Sequence, residues 1–210
     1  MVTSCSRKEA LVAIEAVQYV GGALCLDFAN TVSGHRDGEP KENLNSYDDL
    51  LDWTAAGGAI SRATAARLSD VARENRARAT RVLAEAKELR EAIYEVFLAL
   101  ADQRQPPAAD LAKINAAIPD AYANLQLKAR DGAFSLAWPS TTEELRAPVW
   151  PIVKSAVDLL LDGEVRLRAC ASNTCSWLFI DESKNHSRKW CSMRDCGNRA
   201  KVRRFRSVAQ

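Results

Sequence analysis

Cys170-Ala-Ser-Asn-Thr-Cys175 and, fifteen residues further on, Cys191-Ser-Met-Arg-Asp-Cys196-Gly-Asn-Arg199 decide how this chain is read. Two C-x4-C pairs at that separation supply four thiolates, enough to close a tetrahedral shell around one zinc ion. The alternating runs 165–169 and 177–180 flank the first pair, which predicts a knuckle on a β-hairpin. Cys196 leads into a segment free of helix breakers, predicted as a helix over 197–208. A knuckle followed by a ligand in the first turn of a helix is a treble-clef-like arrangement. The positive end of that helix favours thiolate, and Gly197 would let the backbone approach a ligand sulfur closely. With all four positions taken by cysteine, the expected zinc is single and structural, with no place for a reactive water. An iron–sulfur cluster or a redox disulfide pair is the alternative use of the same residues. His186 lies in the intervening loop but is not needed to complete the shell.

Charge separates this segment from the rest. Residues 164–210 hold eleven Lys/Arg against four Asp/Glu, a net +7, which leaves −5 for residues 1–163. A basic tail on an acidic body points to a polyanionic partner. Placed on a helix, Arg199, Arg203 and Arg206 form one stripe, flanked by Lys201 and Arg204. Val202, Phe205 and Ala209 fall on another side, expected to pack on the knuckle. Lys184, Arg188, Lys189 and Arg194 extend the positive surface. Arginine suits bidentate contact with phosphate and guanine, so these nine residues are the candidate nucleic-acid contacts. The start Met-Val-Thr-Ser-Cys carries no apolar signal region, and no run approaches the ~18 apolar residues of a membrane span. A cytoplasmic location without membrane insertion is therefore expected. Cys5 reads as a tail residue and Cys25 as a small buried hydrophobe.

Upstream, a short strand or an extended entry is expected near Val17-Gln-Tyr-Val20, then helices take over. Ser46-Tyr-Asp-Asp49 has the form of a capping box and leads into a helix that stops at Gly57-Gly58. Ser61 opens another. The longest helix is expected at about 77–103, with Val82, Ala86, Leu89, Ile93, Val96, Phe97 and Leu100 as its core stripe. Arg81, Glu85, Glu88, Arg90 and Glu91 read as its solvated face. A short helix begins at Ala108. Alternation over 125–130 and 134–138 around Asp131-Gly132 predicts a β-hairpin. Thr141-Thr-Glu-Glu144 resembles a second capping box, and 150–161 is an apolar-faced helix. The fold class is α+β: a mostly helical N-terminal domain over 1–163 with a small β-hairpin, followed by the zinc finger over 164–210. The short join implies that the two parts pack together.

Polar residues inside the apolar run Ala23-Leu-Cys-Leu-Asp-Phe-Ala-Asn-Thr-Val32 need partners if buried. Asp27, Asn30 and Thr31 could form a ligand pocket with His35 and Arg36, under a lid made by the polar loop 33–45. Alternatively, Asp27 and Asn30 satisfy nearby loop backbone. Two histidines and no nucleophile or phosphate-loop motif give little basis for an enzyme.

Cys170-x4-Cys175, Phe179-Ile-Asp-Glu-Ser183, Arg188-Lys-Trp-Cys-Ser-Met193 and Cys196-Gly-Asn-Arg-x-Lys201 resemble the CGNR zinc finger. Gly22-x-Leu24-x-Leu26-Asp27-Phe28-x-Asn30-Thr31 is similar to the ABATE domain that precedes it. The resemblance covers nearly the whole chain and implies a bacterial stress-induced transcription regulator, with the finger on DNA and the N-terminal domain sensing a small-molecule or protein effector. One finger makes few contacts, so a homodimer or a further partner is expected for tight binding. The competing reading is a protein- or RNA-interaction module whose zinc is purely structural.

Overall fold

The helix α4 (Arg76–Ala101) is the axis of the protein. In the computed structural model, which describes residues 19–208, its stripe of Val82, Ala86, Leu89, Ile93, Val96 and Phe97 is buried along most of its length. At 1.5 Å per residue, 26 residues span about 39 Å, so one helix can serve several neighbours. On its sides lie α1 (Leu24–Ala29) and α5 (Ala108–Ala123), which α6 (Trp150–Leu161) packs against in turn, while α2 (Tyr47–Ala56) and α3 (Arg62–Glu74) form a pair against it.

Local chemistry sets the helix ends. Ser46 accepts from the Asp49 N–H, and the Asp49 carboxylate accepts from the Ser46 N–H, a reciprocal cap on α2. Ser61 caps α3 through the Thr64 N–H. The Thr141–Glu144 motif starts no helix: Glu144 N–H bonds the Thr142 hydroxyl in a turn. Pro148 follows at once and cannot donate to a helical ladder, so the chain waits for the 3₁₀ turn Ala147–Val149 before α6 begins. α5 runs past Pro119 to Ala123, longer than its start alone suggests.

Three antiparallel two-stranded ribbons complete the architecture. β1 (Val32–Ser33) pairs with β2 (Lys41–Glu42). β3 (Gln126–Arg130) pairs with β4 (Ala133–Ala137), with Leu127 opposite Leu136 and Ala129 opposite Phe134. Asp131 and Gly132 both have positive φ, +51° and +80°, as the tight hairpin turn demands. β5 (Leu167–Ala169) pairs with β6 (Leu178–Ile180), Arg168 facing Phe179. No strand forms at Tyr19-Val20; Val17 and Gln18, like Cys5 and Ala209, lie outside the described residues.

The main core is built on Trp53, Trp150, Phe28 and Phe97. Leu178 of β6 is buried in this same core, and Leu167 and Ile180 pack against it. The hydrophobic body and the cysteine segment therefore share apolar contacts across residue 163. No helix among the described residues is long and apolar enough to cross a membrane.

Candidate metal centre and basic helix

The first cysteine pair sits in the turn between β5 and β6. Cys170 N–H donates to Trp177 O at 2.9 Å, and Cys175 N–H to Ser172 O at 3.1 Å, which folds the knuckle and turns both thiols inward. The second pair comes from the loop before the last helix, α7 (Asn198–Val208). Cys196 lies in a π-helical turn, Met193–Gly197, capped by the Ser192 hydroxyl. This turn runs without a break into α7, so the ligand stands in the first turn of one continuous helical segment. Gly197 leaves room for the Met193 and Trp190 side chains: an added Cβ would lie 3.1 Å from Met193 Sδ. Its small size thus serves local packing.

All four thiols are buried and lie within 4.8 Å of one another. Cys175 Sγ is 3.7 Å from Cys191 Sγ, which is 3.6 Å from Cys196 Sγ. Four sulfurs at about 2.3 Å from a tetrahedral zinc ion would stand about 3.8 Å apart, whereas a disulfide needs about 2.05 Å. The donor set fits one structural zinc held by Cys170, Cys175, Cys191 and Cys196. Hydrogen bonds from Cys175 and Cys191 draw the Cys170 thiol far below its ordinary value, and the same hydrogen bonds to Cys170 push Cys175 and Cys191 up. A divalent cation allows all four to ionise.

Around the sulfurs, the basic side chains have different tasks. The Arg188 guanidinium is wrapped by backbone carbonyls: Nε donates to Trp190 O, Nη1 to Ile180 O, and Nη2 to Val20 O and Cys191 O. It also stacks 4.3 Å over the Phe179 ring, which is fully buried. Arg188, expected at the nucleic-acid surface, is instead the clamp that joins the loop, the knuckle and the entering chain. Arg199 Nη2 donates to Cys196 Sγ at 3.0 Å, and that hydrogen bond raises the arginine's pKa. Arg203 reaches the Asn173 Oδ1 and Ser172 Oγ oxygens of the knuckle. So α7 docks through arginines. Val202 and Phe205, expected to pack on the knuckle, are exposed instead. The reason is electrostatic: the knuckle offers thiolate and oxygen acceptors, which bind guanidinium better than an apolar side chain. Lys184, Lys189, Arg194, Lys201, Arg204 and Arg206 remain exposed.

Asp181 organises the intervening loop. It is buried, accepts from the Ser183 N–H and hydroxyl and from the Arg188 N–H, and the Ser183 hydroxyl helps hold its pKa below the ordinary value. His186 does not join the sulfurs. Its Nδ1 lies 3.2 Å from Asp181 O, and its φ of +47° places it at a tight bend.

The five residues read as a ligand pocket have structural partners. Asp27 Oδ1 accepts from Gly21 N–H at 2.7 Å, and burial pushes its carboxyl up to about 6. Asn30 makes two bonds to one residue of the finger: its Nδ2 donates to Leu178 O and its Oδ1 accepts from Leu178 N–H, each at 2.8 Å. Thr31 Oγ1 donates to Phe28 O at 2.7 Å. Arg36 pairs with Glu91, lies 3.7 Å over the Tyr94 ring, and donates to Ala29 O. His35 faces Asp37 at 3.9 Å. The loop 33–45 is held down instead of hinged, because Glu42 takes a two-pronged bond from Arg90 at 2.7 and 2.8 Å. Arg90, read as solvated, is buried in this network, where its charge is matched by Glu42 and Glu91. Of the five, Arg36 borders an open cleft with Asp37, Glu42 and Glu95. Nothing in the sequence marks Asn30 as the joint, since its partner is 148 residues away.

A helical body sharing its core with a four-cysteine zinc finger defines a zinc-finger protein whose finger is fixed to its N-terminal domain. Residues 22–163 match the ABATE family, described as "Putative stress-induced transcription regulator", and residues 166–208 match the CGNR zinc finger. The chain belongs to the ABATE family and carries a CGNR finger. No curated protein matches it.

Proposed function

We propose that this protein is a zinc-dependent, DNA-binding transcription regulator of the stress response, acting in the cytoplasm at the nucleoid. In this reading α7 contacts DNA, and the N-terminal domain senses an effector. The observation that carries it is the outward side of α7: Lys201, Arg204 and Arg206 are exposed, while Arg199 and Arg203 anchor the helix to the knuckle. Lys184, Lys189 and Arg194 widen the surface. Two chains on one DNA site would supply the contacts that a single finger lacks.

The test is an anisotropy titration on genomic fragments at several salt concentrations. Six phosphate contacts per finger correspond to a log–log salt slope of about −5. Replacing Lys201, Arg204 and Arg206 together by Ala is expected to make that slope shallower by about 3. Unchanged affinity and slope would remove α7 from the interface.

A second reading has its own observation. Val202 and Phe205 stand exposed on the same helix, which favours a protein partner. Phe205→Ser separates the two: full DNA affinity in that variant supports the nucleic-acid reading.

A further inference from the structure

Between α4, α5 and α6 the packing leaves a cavity of about 260 Å³. Its walls carry small residues where helices normally interlock: Ala86 of α4 and Ala116 and Ala117 of α5 line it, together with Leu89 and Trp150. A water molecule takes up about 30 Å³, so the space matches a body of about nine non-hydrogen atoms. Walls of this kind surround typical small-molecule sites.

The wall formed by α5 is packed along one face, where Leu111, Ala117 and Ile118 lie against the core. Of its sixteen residues, Ile114 and Ala121 are the buried ones. Pro119 stands inside the helix and has no N–H to bond the carbonyl four residues earlier.

The rim fixes the charge of the occupant. Both of its cations already hold carboxylates: Arg146 bonds Glu85 at 2.6 Å and Lys113 bonds Asp110 at 3.0 Å. Two rim carboxylates have no salt bridge among the described residues. Glu88 is exposed at the mouth, and Asp120 accepts the Trp150 indole N–H at 2.7 Å through Oδ2, which leaves its other oxygen available. Apolar walls under two such carboxylates select a cation with a hydrophobic body.

We propose that this cavity binds a small cationic amphiphile, an amine whose ring or branched alkyl body enters between Ala86 and Ala117 and whose ammonium meets Glu88 and Asp120. The site gives the sensing half of the function proposed above a location and a ligand class, and it rests on that reading for its regulatory meaning alone.

The test uses the zinc-loaded full chain and three probes sharing one ring: 2-phenylethylamine, 2-phenylethanol and phenylacetate. Titrations follow the Trp150 indole N–H resonance. The amine is expected to shift that resonance saturably and to bind about tenfold more tightly than the carboxylate. Glu88→Gln combined with Asp120→Asn should cost the amine about tenfold and leave the alcohol unchanged; asparagine keeps an acceptor for Trp150. Ala117→Leu, which fills the space, should abolish binding of all three probes. Should that variant melt early, the charge variants decide alone, because Glu88 is exposed and its replacement leaves the core intact. A Trp150 resonance that no probe shifts would overturn the proposal, as would a carboxylate that binds as well as the amine. DNA titrations of the same samples keep the two readings apart: probe binding without DNA binding sinks the regulator, and DNA binding without probe binding sinks the site.

Discussion

Helices α1 and α7 use polar side chains in opposite ways. Five of the six residues of α1 are buried, and its Asp27 and the adjoining Asn30 and Thr31 bond inward to backbone. Residues 201–207 of α7 are all exposed, and the contacts that seat the helix come from two arginines. A polar atom sealed in a core must find a partner or forfeit its hydration. A charge at the surface faces no such demand and stays available to something outside. Polar side chains thus build a joint at one end of the chain and an open surface at the other.

Removing the zinc should break this comparison most severely. Structural zinc contributes on the order of 10 kcal/mol to a small finger. Because Leu178 and Ile180 of the knuckle hairpin pack with the body, chelation should unfold the finger and lower the melting temperature of the helical part by about 10 °C. A body that melts unchanged in chelator, followed by far-ultraviolet dichroism, would show that the shared core adds little.

Asn30→Ala should come next. It strips both partners from the buried Leu178 backbone, at about 2–4 kcal/mol, measured by urea unfolding with zinc saturating. Asn30→Asp, which keeps an acceptor for the Leu178 N–H, should fall between. Equal stability of Asn30→Ala and the parent would dismiss the joint.

Asp27 sharpens the comparison through pH. Its carboxyl is raised to about 6 in the folded protein, chiefly by burial, so the folded state holds this proton more tightly than the unfolded chain. Its contribution to stability is full below the unfolded value near 4 and is lost as pH rises through about 6. Zinc affinity moves the other way over that range, since acid protonates thiolates. The Gly21 amide resonance, bonded to this carboxylate, should therefore report a midpoint near 6, and a midpoint near 4 would contradict the burial argument.

The smallest stability effect belongs to α7. Lys201, Arg204 and Arg206 changed together to Ala should move unfolding by less than about 0.5 kcal/mol, while altering salt-dependent binding as described above. A large loss of stability would mean that these side chains also anchor the helix.

The cysteine cluster was open to reading from the sequence because its chemistry is local: four identical donors in two short spacings admit few uses. The long helix and the Asp131-Gly132 hairpin were legible for the same reason, being periodic or tied to one turn type. What was hidden depends on distant partners. Arg90 looks like any charged residue on a helix until Glu42 closes on it. Arg188 looks like its basic neighbours until four carbonyls and the Phe179 ring surround it. The helical wheel of α7 separated the arginines from Val202 and Phe205 correctly, but which side faces the knuckle depends on the acceptors there, and these become visible once Ser172 and Asn173 are placed.

The two bonds between Asn30 and Leu178 also bear on the protein's lifetime in a cell. A tail on a loose tether could lose its metal while the rest of the chain stayed intact. Here, metal loss would strip the cover from a hydrophobic core and raise the population of open forms that proteases cut. Abundance of the whole chain would then follow zinc supply, and starvation for the metal would clear the protein instead of merely silencing it.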